Sequence, residues 1–315
     1  GGQEPTVTDA NLILGRLRAD AFLGGRMRLD EGAARASLAP MARRLGTTEE
    51  EAALGVIRVA NEHMARALRV ISVQRGIDPR GFALVSFGGA GGLHVCSLAE
   101  ALDMSRALVP VHAGVLSALG MLATRPGRQL SVTRLGLLAK LTQEEVQGEV
   151  DRLIERGALS LAEEGASREQ LHAAPSLDLR YRGQSYTLNL PWRGLDGVEE
   201  GFAAVHFARY GHRMEVPVEL VNIRVGLEGP DQELVLGSLE SSGPASPMSW
   251  SRMYGVAGEV AVYARHRLGQ GQAVAGPALV TEEVATTWIS PGWEARVHSS
   301  GSLLLVKQAA SQSSV

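Results

Sequence analysis

The stretch Phe82-Ala83-Leu84-Val85-Ser86-Phe87-Gly88-Gly89-Ala90-Gly91-Gly92-Leu93-His94 decides the fold class of this chain. Residues 82–87 read as a buried β-strand that runs straight into five small residues. A helix through about Ala101 follows, then Ala107-Leu108-Val109-Pro110 as a second short buried strand and Gly114–Leu122 as another helix. Strand, glycine loop, helix and strand in that order make an α/β pattern. Glycines lack Cβ, so the loop lets backbone approach a ligand closely. The helix start behind it offers unpaired N–H groups to phosphate or another anion. Two familiar identities do not fit. A Walker loop ends in Gly-Lys-Ser/Thr, and no lysine is present here; a dinucleotide fingerprint needs a third glycine where His94 stands. Nucleotide contact and a tight turn for helix–strand packing both fit what remains. His94, in the first helical turn, can touch a ligand or cap and pack.

Upstream, Thr6-Val7-Thr8-Asp9-Ala10-Asn11 leads into a short helix ending near Gly15, with Thr8 or Asp9 as its cap. Capping accounts equally for Asp9 and Asn11. A second helix runs from Asp30 to near Gly46. Thr48-Glu49-Glu50-Glu51 has the capping-box spacing and opens the clearest element. There Ala53, Ile57, Ala60, Met64, Ala67 and Ile71 form one apolar face, and Gly76 with Asp78-Pro79 closes the helix. Asn61 lies mid-helix, where asparagine is a poor former, and so has a modest claim on a partner elsewhere.

Downstream of about residue 135 the character changes. A helix over Thr142–Glu164 precedes a hairpin of Ser176–Tyr181 and Ser185–Leu190, a strand at Val218–Leu227 and a Gly/Ser/Pro-rich connector at Gly229–Ser249. Strands at Val260–His266, Ala278–Glu282, Thr286–Ile289 and Ser302–Val306 complete a β-rich region, and the polar tail from Gln308 reads as disordered. The expected division is residues 1–135, an α/β glycine-loop domain, and residues 136–315, an α+β, β-rich domain. Asp178 and Arg180 read as a surface ion pair.

Composition sets the outer bounds. With 315 residues, 45% hydrophobic and 21% charged, the chain suits two globular domains that need no staples. A net charge of −3 and only 4% aromatics argue against a nucleic-acid or anionic-membrane partner. Cys96 is the only cysteine, which excludes an intramolecular disulfide and a cysteine zinc site, suits burial as a small hydrophobe, and points to a reducing, cytoplasmic setting. The apolar run Ala113–Ala123 is about half the roughly 20 residues a membrane helix needs. Eight scattered histidines show no metal-ligand spacing, so no metal site is expected in this chain, and Ser86 and Ser97 lack the Gly-x-Ser-x-Gly elbow of serine hydrolases.

Several segments, in order along nearly the whole chain, resemble the hydantoinase A/5-oxoprolinase family, which includes N-methylhydantoinase and acetone carboxylase subunits. They are Thr6-Val7-Thr8-Asp9-Ala10-Asn11-Leu12, Phe22-Leu23-Gly24-Gly25, Ala60-Asn61-Glu62-His63-Met64-Ala65, Phe87-Gly88-Gly89-Ala90-Gly91 with His94, and Gly114-Val115-Leu116-Ser117-Ala118-Leu119-Gly120. Arg180-Tyr181-Arg182-Gly183-Gln184-Ser185-Tyr186, Glu219-Leu220-Val221-Asn222-Ile223-Arg224 and Gly276-Pro277-Ala278 extend the match. The resemblance implies a partial ribonuclease H-like lobe of an actin/Hsp70-type ATPase. In it, Gly88, Gly89, Ala90, Gly91, Gly92 and His94 contact the adenosine side of ATP, and Asp9, Asn11 and Asn61 lie near an interlobe cleft. It further implies ATP- and Mg²⁺-dependent phosphorylation of a cyclic amide or a ketone enolate, followed by hydrolysis or carboxylation with a hydantoinase B-type partner in an oligomeric assembly.

Two departures qualify these expectations. The family's two phosphate segments, of Asp-Val-Gly-Gly-Thr-x-Thr-Asp and Asp-Met-Gly-Gly-Thr-Ser type, do not occur in this sequence, which opens Gly-Gly-Gln-Glu-Pro without methionine. The expectation is therefore the C-terminal half of a longer subunit, inactive alone and lacking the groups that hold triphosphate and magnesium. Gly92 stands where the family commonly has proline. The rival expectation is a non-catalytic binding or assembly module for the B-type partner.

Overall fold

The computed structural model describes residues 2, 4–231, 237 and 243–309. Three helices open the chain: α1 (Val7–Ile13), α2 (Glu31–Leu45) and α3 (Glu49–Ile71). Thr6, not Thr8 or Asp9, caps α1; its hydroxyl accepts from the Asp9 N–H while the Asp9 carboxylate accepts from the Thr6 N–H. Asp30 caps α2, and Gly46 at φ +67° ends it in the left-handed region that glycine tolerates. The capping box expected at Thr48 and Glu51 forms in both directions. Helix α3 stops at Ile71, and a short 3-10 turn over Val73–Arg75 carries the chain to Gly76. Ala10, Leu14, Leu38, Ala53 and Ile57 pack the three helices together.

The glycine stretch then gives β1 (Leu84–Val85), α4 (Val95–Ala101), β2 (Arg106–Val109) and α5 (Leu116–Ala123). Strand β1 pairs parallel with β2. It spans two residues rather than the six expected, and Phe82, Val85 and Phe87 are exposed rather than buried. The reason is position: β1 lies at one end of its five-stranded sheet, so only β2 pairs with it.

Residues 121–234 form a compact unit of their own. Its elements are β3 (Gly127–Leu137), α6 (Gln143–Ala162), β4 (His172–Tyr181), β5 (Leu188–Pro191), α7 (Val198–Tyr210) and β6 (Val218–Glu228). The antiparallel sheet runs β3-β6-β4-β5. Alternation puts Leu177, Leu179, Ile223 and Val225 in one core with Val146, Val150 and Leu153 of α6 and Phe202 of α7. The opposite face is polar. There the buried Asp178 carboxylate accepts from Asn189 at 2.9 Å, Asn222 at 2.9 Å and Arg224 at 2.5 Å. Burial works against that carboxylate's ionisation, and the three donors outweigh it, holding its pKa below the ordinary value. The expected Asp178–Arg180 pair does not form: Arg180 bonds Glu219 at 3.1 Å, because cross-strand neighbours on β6 face each residue more directly.

The remaining strands are β7 (Ser249–Arg252), β8 (Glu259–Ala264), β9 (Ala273–Ala275), β10 (Ala278–Thr281), β11 (Thr286–Ile289), β12 (Trp293–Val297) and β13 (Leu303–Lys307). Strand β13 pairs antiparallel with β2, joining Leu303 to Val109 across the sequence. Strands β7, β8, β10 and β11 make a further sheet in the order β11-β10-β8-β7. Residues 1–120 and 235–315 thus form one compact unit, so the units are not consecutive segments divided near residue 135. Its core includes Val95, Ala107, Val109, Ile289, Trp293 and Leu303. Part of the expected connector at 229–249, and the expected tail past residue 309, lie outside the described residues. Among the described residues no helix is long and apolar enough to cross a membrane.

Candidate functional site

The glycine loop is shaped by what it touches. Gly88 sits at φ +90°, and its N–H donates to the Ala113 carbonyl at 2.7 Å. The Gly89 carbonyl accepts from the Thr286 N–H at 3.1 Å. A Cβ on Gly89 would lie 2.9 Å from the Val284 carbonyl oxygen, and one on Gly92 would lie 2.6 Å from Thr287 Oγ1 and 2.7 Å from the Thr286 carbonyl. Gly91 likewise has Ser86 Oγ at 2.8 Å from a Cβ position. Absent side chains therefore let Gly89 lie against the connection at Val284 that precedes Thr286 and let Gly92 lie against the strand starting at Thr286. A 3-10 turn over Gly91–Leu93 separates the loop from α4, which begins only at Val95.

One wall of the loop borders a cleft of about 240 Å³, lined by Val7, Thr8 and Asn11 of α1, the segment around Phe22, Gly89 with Ala90, and the β10–β11 connection. Asn11 is 1% exposed; its Nδ2 donates to the Val7 carbonyl at 3.0 Å, and its Oδ1 has no hydrogen-bond partner. Glu282, just past β10, lines the same cleft, and its Oε1 is also buried without a hydrogen bond. Its nearest opposite charge is Arg265, Nη1 to Oε1 at 3.9 Å. Burial pushes the Glu282 carboxyl pKa up, while Arg265 and then His112 pull it back.

The other wall carries His94. Its Nδ1 lies 2.7 Å from Asn61 Oδ1, so the ring donates from Nδ1 to that amide oxygen. Burial, and then the nearby Arg16 charge, hold the His94 pKa below its ordinary value. Arg16 lies over the Trp288 ring, 5.6 Å from its centroid. His94 and Gly91 border a separate apolar groove of about 480 Å³ with Met64, Ile71, Phe87 and Leu98.

The expected residues therefore separate. Asn11, Gly89 and Ala90 meet in one cleft; Asn61, His94 and Gly91 meet on the groove side; Gly88 and Gly92 shape the loop; Asp9 is taken up by the α1 cap. Glu282 and Arg16 went unforeseen. A glutamate in Thr281-Glu282-Glu283 and an arginine after a short helix carry no local pattern, since only the tertiary fold buries them. Cys96 is buried, burial pushes its thiol up to about 11, and its Sγ contacts the Trp288 carbonyl at 3.6 Å, so it behaves as a small hydrophobe. Among the described residues no three His, Cys, Asp or Glu side chains converge to hold a metal ion.

Comparison with known proteins agrees with this architecture. Residues 1–129 match the hydantoinase/oxoprolinase family model. An uncharacterized protein of Methanocaldococcus jannaschii is 37% identical over 309 residues, covering 96% of this chain and 45% of that protein. The caprolactamase subunit alpha of Pseudomonas jessenii is 33% identical over 313 residues, covering 93% of this chain and 45% of that protein. The crystal structure of the ATP-dependent caprolactamase from the same organism superposes with a TM-score of 0.69 at 31% identity, over 98% of this chain and 48% of that one. The chain spans about half the length of these relatives. From the loop wording of its first 129 residues to the strands of its last, the chain belongs with the hydantoinase/oxoprolinase family.

Proposed function

We propose that this chain supplies the adenosine side of the nucleotide site in an ATP-dependent cyclic amide hydrolase of hydantoinase/oxoprolinase type. It works inside a larger assembly, as part of an actin-like ATPase lobe of ribonuclease H type. The observation that carries this reading is the cleft of about 240 Å³ where Gly89 and Ala90 of the loop meet Asn11, a buried side chain whose Oδ1 has no hydrogen-bond partner. The relative described as an ATP-dependent caprolactamase, 31% identical, supports the same cofactor.

In this reading the residues present fit a nucleoside better than a triphosphate. The cleft lining is mainly apolar and includes no lysine, and Arg18 there is already held by Asp20 and Ser249. Triphosphate and Mg²⁺ are then held by the remaining segment of a relative-length protein. ATP supplies the phosphoryl group that turns a poor amide or enolate oxygen into an activated one. The chain's own contribution is positioning: the loop backbone packs the nucleoside wall, and burial excludes water from it. A hydantoinase B-type subunit completes the hydrolysis or carboxylation.

A second reading, an assembly module without catalysis, draws support from the exposed Ile71, Phe82, Val85 and Phe87, an apolar surface that suits a partner. One experiment separates the two. This chain is combined with the remaining segment and a B-type partner, and ATP hydrolysis is followed with hydantoin, 5-oxoproline, caprolactam and a ketone. Substrate-dependent hydrolysis is expected. An assembly that forms but hydrolyses no ATP with any of them would leave the assembly reading standing alone.

A further inference from the structure

The segment that closes one side of the cleft is held down at a single point. Helices α1 and α2 are joined by a loop whose ends meet, the Leu29 N–H donating to the Ala19 carbonyl at 3.0 Å. Both of these neck residues pack on the three-helix core. This is the Ω form, a compact surface loop with its ends together, and such loops are frequently functional. Within it, residues 22–28 make backbone hydrogen bonds only to each other: Arg26 N–H to the Leu23 carbonyl at 3.2 Å and Met27 N–H to the Phe22 carbonyl at 3.4 Å. Among the described residues, one polar contact ties this stretch to anything outside the loop. It joins Arg26 Nη2 to Glu283 Oε1 at 2.5 Å, and both side chains are mostly exposed. Ala21, Phe22 and Leu23 line the cleft from the loop side, and Glu283 lines it from the β10–β11 connection. The ion pair therefore reaches from one wall to the other.

The loop backbone is held in a strained shape. Leu23, Gly24 and Gly25 take φ of +50°, +66° and +83°, three left-handed residues in a row. Glycine adopts that region freely, but leucine is strained in it, and strain of this kind clusters at ligand clamps and switch regions. Here the turn lets Leu23 line the cleft while Gly24 lies against Glu283. A Cβ on Gly24 would stand 2.9 Å from the Glu283 Cγ. We propose that residues 22–28 are a lid on this cleft, swinging above the neck at Ala19 and Leu29 and latched shut by Arg26 and Glu283. Opening the lid breaks no backbone hydrogen bond to the rest of the fold. An exposed ion pair is weak and screened by salt, so the latch yields easily. Closed, the lid shields what lies against Gly89 and Ala90 from water and delays its escape. The inference rests on the nucleotide reading above and adds how the cleft is entered and left.

A covalent lock tests the lid. A Cβ on Gly24 would lie 3.7 Å from the Glu283 Cβ, close to the mean separation of about 3.8 Å across a disulfide. Gly24→Cys with Glu283→Cys is made in the assembled protein, this chain together with the remaining segment of a relative-length protein, and the rates of binding and release of labelled ATP are measured. Within this chain the native Cys96 is buried and does not compete. Oxidation before ATP is added should slow binding about tenfold or more, and oxidation afterwards should slow release as much. Reductant should restore both rates, a response that a merely structural contact would not give. Glu283→Gln leaves the loop sequence unaltered and removes only the latch. It should speed release about two- to fivefold at low salt, a gain that disappears near about 1 M salt. Unchanged rates in the oxidised pair, with the bond confirmed by mass, would overturn the lid and leave the nucleotide reading intact. Should the cysteine pair fail to fold, a Glu283→Gln release rate equal to that of the unmodified protein at low salt would overturn it instead. No binding of ATP by the unmodified protein would overturn both.

Discussion

The two compact units solve the burial problem in opposite ways. Residues 121–234 are continuous in sequence, and their antiparallel sheet covers one face with α6 and α7 while bonding the polar groups of the other into a network around Asp178. The unit of residues 1–120 and 235–315 joins distant segments, brings backbone against backbone at Gly89 and Gly92, and keeps orphaned oxygens at Asn11 and Glu282. It also exposes Phe82, Val85 and Phe87 along a sheet edge. A unit selected mainly for stability leaves few such loose ends, since each unpaired buried group costs about 1–3 kcal/mol. The contrast teaches where to look for function: in the unit that leaves buried polar groups unpaired.

The sharpest way to test that contrast is to damage the self-sufficient unit and ask whether the other survives. Phe202 is fully buried, with its ring 4.9 Å from that of Tyr181. Phe202→Ala should cost about 3–5 kcal/mol. Peptide-resolved hydrogen exchange should show lost protection within residues 121–234 and retained protection in β2, β12 and β13. Protection lost equally in both would show that they do not fold as separate units.

A smaller effect is expected where backbone meets backbone. Gly92→Ala places a methyl group against Thr286 and Thr287, and overpacking of this kind costs about 1–3 kcal/mol. Denaturant unfolding should register the loss, and exchange should rise in the loop and in β11. An unchanged midpoint would mean that the contact is looser than described.

The smallest effect concerns pH. Burial, and then Arg16, depress the His94 pKa in the folded state below the ordinary 6.5. The unfolded chain then binds the proton first, so the stability present above pH 6.5 declines as the pH falls through that value toward the depressed one. The hydrogen bonds to Asp178 act on a lower window: its folded pKa also lies below its ordinary 3.8, so that contribution holds above 3.8 and is lost only beneath it. Between these windows acidification should loosen the glycine-loop unit and spare the other. Exchange measured at pH 7 and pH 5 checks this, and His94→Gln should flatten the difference.

What could be read ahead of the structure divided by range along the sequence, not by unit. Local signals carried far: the Thr48 capping box, the helix starts at Asp30 and Thr142, the Gly46 stop and the β4–β5 hairpin all formed. Signals that depend on distant partners did not. Residues 82–87 have the apolar density of a central strand, yet they supply a short edge strand, because strand neighbours are a property of the sheet and not of the segment. The return of the last strands to β2 was illegible for the same reason. Strands β3, β7, β9 and β12 and helix α7 were missed, β3 because its residues mix polar and apolar types, α7 because a glycine rather than a side-chain cap opens it. In the cleft, Asn11, Gly89 and Ala90 could be nominated from sequence. Glu282 could not, because its burial arises only when β10 lies against β8 and Arg265 comes near.

The pairing of Leu303 with Val109 has a consequence for how the protein is made. Synthesis runs from the N-terminus, so β2 is exposed at the ribosome long before its partner β13 exists. The intervening residues 121–234 find their strand partners among themselves and can close while the chain is still growing. The glycine-loop unit must wait for β13 to emerge. Its assembly thus follows that of the insert, and a nascent chain stalled before residue 303 would carry a finished insert on an unfinished host.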